Sequence, residues 1–215
     1  RVLRYCLNGN LQSVLDEYVH VLGTFMGILD PDTPGVMAGL ANQLASSVSL
    51  RAANYVARDP GKPFQDGRET MRSRFALQFG QRQTDMEEQL QRSEDVRTAF
   101  NSPFWPFVLA STSVGQEGLD FHLYCHAIVH WNLPANPVDL EQREGRIHRF
   151  KGHAVRKNLV HGYGRAAFEG PPGDPWEKMF SAAADARDPD QNDLVPYWVL
   201  AGPAAIERHV PLIPL

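Results

Sequence analysis

The chain has 215 residues, is 43% hydrophobic and 21% charged, and carries a formal net charge of −4 at pH 7. This composition excludes collagen-like and disordered proteins, and the length suits one domain with appendages or two small domains. No uncharged apolar run approaches the roughly 18 residues that a membrane-spanning helix needs, and no signal-like leader opens the sequence, so we expect a cytoplasmic protein without membrane contact.

The N-terminal third has the periodicity of helices. Apolar residues at helical spacing predict an amphipathic helix from Leu11 to about Met26 and a second helix over residues 36–47. Residues 49–57 fit either a strand or the end of a helix. Residues 59–67 are rich in proline and glycine, and we predict a domain boundary there.

From about residue 68 the pattern alternates between strand and helix. Strands are predicted over residues 72–79, 105–110, 127–131 and 156–160, and helices over residues 84–100 and 176–186. Two independent signals start another helix after the third strand, because Asn136 is a favoured N-cap and Pro137 suits the first helical position. Strands that alternate with helices predict an α/β fold, with a mostly parallel sheet flanked by helices.

A first candidate binding segment covers residues 111–120, directly after a predicted buried strand. Hydroxyl residues and glycines at this point lie at the carboxyl edge of a sheet, where α/β proteins bind ligands. Gly115 and Gly118 permit close approach of the backbone to a phosphate, and Asp120 can accept hydrogen bonds from a ribose hydroxyl. The alternative is a glycine-rich turn that binds nothing.

A second candidate segment covers residues 142–149, in the helix that Asn136 is predicted to cap. At about 100° per residue, such a helix places Gln142, Arg146 and Arg149 on one face. Two convergent guanidiniums suit a transferring γ-phosphoryl group, because charge develops on its oxygens and arginine keeps its own charge. Gly145 in the helix interior indicates a place where a side chain does not fit. The alternative is a solvated helix whose arginines pair with neighbouring glutamates.

Positive charge is concentrated around the second segment. Between residues 142 and 157 there is one anion, Glu144, and six cations: Arg143, Arg146, Arg149, Lys151, Arg156 and Lys157. A local charge of +5 in a net-acidic chain favours a polyanionic partner.

In this order and spacing the two segments resemble motifs V and VI of superfamily 2 helicases, the family that includes DEAD-box proteins and Swi/Snf-type translocases. Residues 112–120 are similar to motif V, and residues 142–149 are similar to motif VI. The stretch between them, residues 131–137, is similar to that of Swi/Snf-like and related bacterial helicases. The resemblance covers about residues 72–160.

The resemblance implies the second of two RecA-like domains. It places this domain at residues 67–165, after an N-terminal helical region at residues 1–66 and before a C-terminal extension at residues 166–215. In motif VI it implies that Arg146 and Arg149 are arginine fingers and that Gln142 lies near the γ-phosphate.

For motif V, the resemblance implies contacts with the nucleic-acid backbone and with the nucleotide. The backbone role falls on Thr112, Ser113 and Gly115, and the nucleotide role falls on Gly118 and Asp120. Glu117 stands where many DEAD-box proteins have arginine, so we do not expect RNA-type contacts there, and duplex DNA is the expected nucleic acid.

The other half of an ATPase site is missing from the sequence. No G-x-x-x-x-G-K-[ST] loop is present, and residues 14–17, which superficially resemble a magnesium-binding strand, lie in a helical pattern. We therefore expect this chain, taken to be part of a longer protein, not to hydrolyse ATP alone. ATP and Mg²⁺ are expected to be held mainly by an N-terminal RecA-like domain of the same parent chain.

Two other parts of the sequence are candidates for a metal site and for a base-stacking residue. His122, Cys125 and His126 lie close together but lack an evident fourth ligand, so no metal site is predicted. Trp131 is interpreted as a buried residue at a strand end, with stacking on a base as the alternative.

The expected function is that of the C-terminal lobe of an ATP-dependent helicase or translocase. One alternative is a non-catalytic module for nucleic-acid binding or scaffolding with a decayed helicase fold, which would keep the cationic patch without needing both arginine fingers. A plain α/β nucleotide-binding regulator is a further alternative.

Overall fold

The computed structural model describes residues 2–27, 35–48, 53–58, 68–73, 97–104, 108–110 and 123–211. Its helices are α1 (Val2–Asn8), α2 (Leu11–Phe25), α3 (Val36–Val48), α4 (Pro137–Gly145), α5 (His153–Tyr163) and α6 (Pro175–Asp185). A 3₁₀ helix (Gly164–Phe168) follows α5, and residues 97–100 are also helical. The strands are β1 (Ala53–Arg58), β2 (Arg68–Ser73), β3 (Ala127–Val129) and β4 (Glu207–His209). The described residues are about half helical.

The strands form two separate pairs within the described residues. Strands β1 and β2 are antiparallel, and β3 and β4 are parallel, with Ile128 opposite Arg208. Each pair joins segments on the two sides of a predicted domain boundary, residue 66 or residue 165. The boundaries themselves stay predictions, and so does the larger parallel sheet.

Most of the helices predicted from periodicity and capping are confirmed. Helices α2, α3 and α6 lie where the sequence places them. Helix α4 begins as predicted, with the Asn136 side chain accepting a hydrogen bond from the Val138 N–H at 3.0 Å. Asp174 caps α6 in the same way, since its side chain accepts from the Trp176 N–H at 2.8 Å. Residues 49–57, left open between strand and helix, include the start of strand β1.

The prediction of a strand over residues 156–160 is wrong, because this stretch lies within helix α5. Val155 and Leu159 are four residues apart and therefore share one helical face, which is buried against α6. The other buried positions of α5 are polar, Arg156 and Asn158, and their side chains are satisfied by distant backbone groups. The mixture of apolar and polar residues hid the helical period.

Two further strand predictions need correction. Residues 108–110, predicted as part of a buried strand, have no regular secondary structure, and Val108 is 81% exposed. Strand β2 begins at Arg68 and ends at Ser73, so it covers only the first residues of the stretch predicted at 72–79. An apolar run becomes a buried strand only where other elements cover it. The composition of the run does not predict whether such elements are present. Residues 74–96 and 105–107 lie outside the described residues.

The core of the described residues consists of two clusters that meet at helix α2. One cluster joins α5 and α6 through the side chains of Val155, Leu159, Trp176, Met179, Phe180 and Ala183. The other is built on α2 and α3 from Tyr18, Leu22, Leu40 and Phe104. Helix α2 also contacts α6, where His20 stacks on Phe180 with ring centroids 5.9 Å apart. Helix α2 therefore belongs to one cluster and contacts the other through His20.

The described part of the chain contains no helix that is both long enough and apolar enough to cross a membrane.

Candidate nucleotide and nucleic-acid site

The residues assigned to motif V lie outside the described part of the chain. They are Thr112, Ser113, Gly115, Gly118 and Asp120, and their roles stay predictions. The chain on either side of them is described. Phe104 before the motif and Tyr124 after it both lie near the Tyr18 ring, with centroid distances of 5.8 and 6.2 Å.

Motif VI begins on a helix whose start is set by local sequence. The Asn136 cap and Pro137 fix the first turn of α4, and Asp139 places a carboxylate near the positive end of the helix. Gln142 follows on an exposed position of this helix. The predicted placement of Gln142 on a capped helix is confirmed.

The predicted helical face for Gln142, Arg146 and Arg149 is wrong in its second half. Helix α4 ends at Gly145, and Arg146 is its C-cap residue. Arg149 therefore lies beyond the helix, in the turn that follows, and not one helical turn from Arg146. Glycine has low helix propensity, by about 1 kcal/mol relative to alanine, and its position at the last helical residue is consistent with that preference. A Cβ atom at Gly145 would meet nothing within 4 Å, so no close contact explains this glycine.

The turn after motif VI is held by other residues. Ile147 is buried, and its N–H donates to the Glu144 carbonyl at 2.9 Å. Lys151 has a φ of 50°, in the left-handed region that residues with a side chain seldom adopt. A Cβ atom on Gly152 would lie 3.1 Å from the Arg149 carbonyl oxygen, which is a tight contact. The close approach that the sequence assigned to Gly145 therefore occurs at Gly152.

The acid of motif VI is engaged by groups outside the motif. Glu144 Oε2 lies 2.7 Å from Arg208 Nε on β4, and Glu144 Oε1 lies 3.3 Å from Nε2 of the buried His130. Because β4 pairs with β3, the C-terminal residues bring a cation to this carboxylate. This contact links motif VI to a strand about 60 residues further along the chain.

The cationic patch is smaller than its sequence suggests. Two of its six cations are internal, since Lys151 and Arg156 are buried. Lys157 is exposed, while Arg143, Arg146 and Arg149 are partly buried. Arg143 Nη1 donates to the Asn132 carbonyl at 3.0 Å. The surface available to a polyanion therefore carries at most four of the six positive charges.

Trp131 is exposed and not buried, which corrects the preferred interpretation of this residue. It is 71% exposed, just after strand β3 ends at Val129, and Leu133 next to it is exposed too. Strand β3 is short, and its partner β4 has exposed positions throughout, so nothing in that pair covers the indole ring. The alternative role for Trp131, stacking on a base, is open to the side chain in this position.

The Cys125 side chain is packed against the neighbouring backbone. Cys125 Sγ donates to the Ala127 carbonyl at 3.4 Å, and burial raises the pKa of its thiol. Among the described residues no group of three or more His, Cys, Asp or Glu side chains could hold a metal ion, and His122 lies outside them. The nearby His153 has a pKa lowered to about 3, chiefly by burial and further by Arg156, Lys157 and His126.

Sequence reasoning missed the residues that support the site from within. The sequence pattern predicts surface charge at Lys151 and Arg156 and gives no indication of a role for Arg208. One signal was present for Arg156: it lies between Val155 and Leu159, close to the buried face of an amphipathic helix. The partners, Glu17 and Glu144, lie far away in sequence and carry no such signal.

Comparison with known proteins gives the family of the central segment. Residues 69–151 match the family model of the helicase conserved C-terminal domain. A stretch of 42 residues, 20% of this chain, is 48% identical to YqhH of Bacillus subtilis (strain 168), described as an uncharacterized ATP-dependent helicase, and the matched part spans 7% of that protein's length. No solved structure matches the chain. Both motifs lie inside the matched segment, so residues 69–151 are similar to the helicase conserved C-terminal domain, which is RecA-like, as the resemblance implies.

Proposed function

We propose that this chain supplies the C-terminal RecA-like lobe of an ATP-dependent helicase or translocase that acts on duplex DNA. The observation that carries the proposal is the match over residues 69–151, which contains both motifs in the family's order. In this function Arg146 and Arg149 stabilise the charge that develops on the γ-phosphoryl oxygens during hydrolysis, with Gln142 beside them.

The geometry of motif VI supports this role for the two arginines. Both lie after the end of a helix whose start is fixed by a cap, and the turn that carries Arg149 is fixed by Lys151 and Gly152. The carboxylate of Glu144 is held by Arg208 and His130. A turn fixed in this way holds the two arginines in a defined position, which catalysis by positioned groups requires.

ATP and Mg²⁺ belong mainly to a partner domain in this proposal. The sequence has no phosphate-binding loop, and the described residues offer no cluster of metal-ligating side chains. We therefore assign both to an N-terminal RecA-like domain of the same parent chain. This chain contributes the arginines and, through Gly118 and Asp120, contacts with the nucleotide across the cleft.

Nucleic acid binding is assigned to motif V and the exposed cations. Thr112, Ser113 and Gly115 contact the phosphate backbone, which carries no sequence information and suits a motor that moves along DNA. Closure of the two lobes on ATP and their reopening after hydrolysis would change these contacts with the phosphate backbone once in each ATPase cycle.

The test is ATPase turnover in the full-length protein with Arg149→Ala and Arg146→Ala. We expect kcat to fall by about 10³- to 10⁵-fold for a lost arginine finger, while ATP binding is largely kept. Arg165→Ala is the matched control, because it removes an exposed arginine outside the cationic patch and should leave kcat unchanged. Wild-type turnover in both arginine variants would refute the finger role.

The same experiment separates this function from the alternative of a non-catalytic module with a decayed helicase fold. Such a module would bind DNA through its exposed cations and would not respond in turnover to either arginine. The internal positions of Lys151 and Arg156 reduce the patch on which that alternative depends.

A further inference from the structure

Arg156 is a buried charged residue to which the proposed function gives no task. Its side chain is 1% exposed, although it lies in the stretch, residues 142–157, that the sequence predicts to be a cationic surface patch. The guanidinium donates from Nε to Glu17 Oε1 at 2.8 Å, from Nη1 to the Lys151 carbonyl at 2.7 Å and from Nη2 to the Leu123 carbonyl at 2.5 Å. The Tyr124 ring lies against it, 5.1 Å from Cζ to the ring centroid.

The two carbonyls that Arg156 binds have a particular place in the chain. Leu123 lies three residues after the last motif V residue, Asp120, and Lys151 lies two residues after Arg149. The guanidinium is planar and holds its donors in a fixed fork. One rigid group therefore sets the distance between the points where the chain leaves motif V and motif VI.

Helix α2 supports both points from the other side. Glu17 neutralises the buried guanidinium, and the next residue, Tyr18, packs against Phe104 and Tyr124, which flank motif V. His20, one turn along, lies 3.2 Å from the Lys151 ammonium, measured from Nε2 to Nζ. Helix α2 thus contacts the chain before motif V, after motif V and after motif VI.

We propose that Arg156 is a positioning residue for the helicase site, which fixes the backbone at Leu123 relative to Lys151 and thereby places the turn that carries Arg149. This inference rests on the proposed function. The guanidinium is enclosed, and its donors are bound to Glu17 and to the carbonyls of Leu123 and Lys151, so it acts through the backbone at those two residues. A displacement of about 1 Å at a reacting group costs on the order of 10²-fold in rate, which makes such a support measurable.

The experiment uses Arg156→Lys in the full-length ATPase. Lysine keeps the charge opposite Glu17 but cannot reach both carbonyls with a planar fork. We expect kcat to fall by about 10- to 100-fold with little change in KM for ATP, because nucleotide is held mainly by the other lobe. In an Arg149→Ala background the same substitution should cause no further loss, since the residue through which it acts is gone.

Leu159→Ala is the control for a purely structural effect. Leu159 is fully buried on the same helix, and its loss lowers stability through a cavity without touching either carbonyl. At a temperature where both variants are folded, we expect Leu159→Ala to keep wild-type kcat. An equal loss of kcat in the two variants, or a loss from Arg156→Lys that adds fully to Arg149→Ala, would overturn the positioning role.

Failure of this inference and failure of the proposed function give different results. If Arg149→Ala keeps wild-type turnover, the finger role of Arg149 and the positioning role of Arg156 both fall, and the finger role as a whole falls if Arg146→Ala keeps it too. If Arg149→Ala lowers kcat and Arg156→Lys does not, only the positioning role is refuted. Should Arg156→Lys not fold, the double variant Arg156→Gln with Glu17→Gln removes the fork between the two carbonyls without leaving a buried unpaired charge, and an unchanged kcat in that variant overturns the inference.

Discussion

The basic residues between positions 143 and 157 fall into two regions with different fates. Arg143, Arg146 and Arg149 lie on or after helix α4 and remain partly exposed, whereas Lys151 and Arg156 are buried. The difference is made by α2, which brings Glu17 to Arg156 and His20 to Lys151 from more than 130 residues away in the chain.

The comparison shows that charge density along a sequence does not give charge density on a surface. A buried cation needs an anion or several acceptors, because the desolvation of an unpaired charge is costly. Arg156 has one carboxylate and two carbonyls, so it is stable inside, while Lys157 next to it lies in solvent. Burial also lowers the pKa of the Lys151 ammonium, against the opposing effects of Glu177 and Asp174.

The largest effect on stability should separate the two regions directly. Replacement Arg156→Met removes a buried cation and leaves Glu17 and two carbonyls without their donor, so we expect the free energy of unfolding to fall by about 3–5 kcal/mol. Arg143→Ala, which loses one hydrogen bond on the partly exposed side, should cost about 1 kcal/mol or less. Urea unfolding of the chain followed by circular dichroism measures both, and equal costs would contradict the division.

A smaller effect on stability is expected from His153, a partly buried basic residue between Lys151 and Arg156. Its pKa is about 3 in the folded chain, so the ring stays neutral there, while the unfolded chain protonates near pH 6.5. The stability is therefore complete above pH 6.5 and falls as the pH drops from 6.5 toward 3, by about 2 kcal/mol at pH 5. We expect His153→Gln to flatten this part of the curve of unfolding free energy against pH. The same slope in both proteins would show that His153 is not the group responsible.

The smallest effect should distinguish exposed from buried cations in DNA binding. If Lys157 contacts a phosphate, Lys157→Ala lowers the slope of log K against log salt by about 0.9, with a small loss of affinity at moderate salt. Arg156→Lys changes no phosphate contact, because the side chain at this position is enclosed. Titration of duplex DNA at several salt concentrations measures the slopes, and a change caused by Arg156→Lys would place that residue on the binding surface.

Predictions from the sequence were accurate where the cause is local. The start of α4 depends on Asn136 and Pro137 alone, and the start of α6 depends on Asp174 and Pro175, so each could be read from adjacent residues. Motifs V and VI are also local patterns, and the match over residues 69–151 confirms the family that they indicated.

Predictions failed where a distant partner decides the outcome. Helix α4 ends at Gly145, so Arg149 is not on the expected helical face. The turn that follows is held by a distant partner, since the Lys151 N–H donates to the Tyr197 carbonyl at 2.7 Å. Trp131 follows the end of strand β3 and is exposed, because neither β4 nor any other described element covers the ring. The residues next to α4 and next to Trp131 do not indicate which distant elements lie near them.

The sequence by itself determined the helix starts, the amphipathic faces of α2 and α6 and the helicase motifs, because caps and periodicity act within a few residues. Only the tertiary structure decided which cations are internal and which elements support the motifs. Glu17 stabilises Arg156, and Arg208 engages Glu144, across separations of 139 and about 60 residues. Such pairings depend on the packing of whole helices and strands, and the free energy that selects them is spread over the core they form.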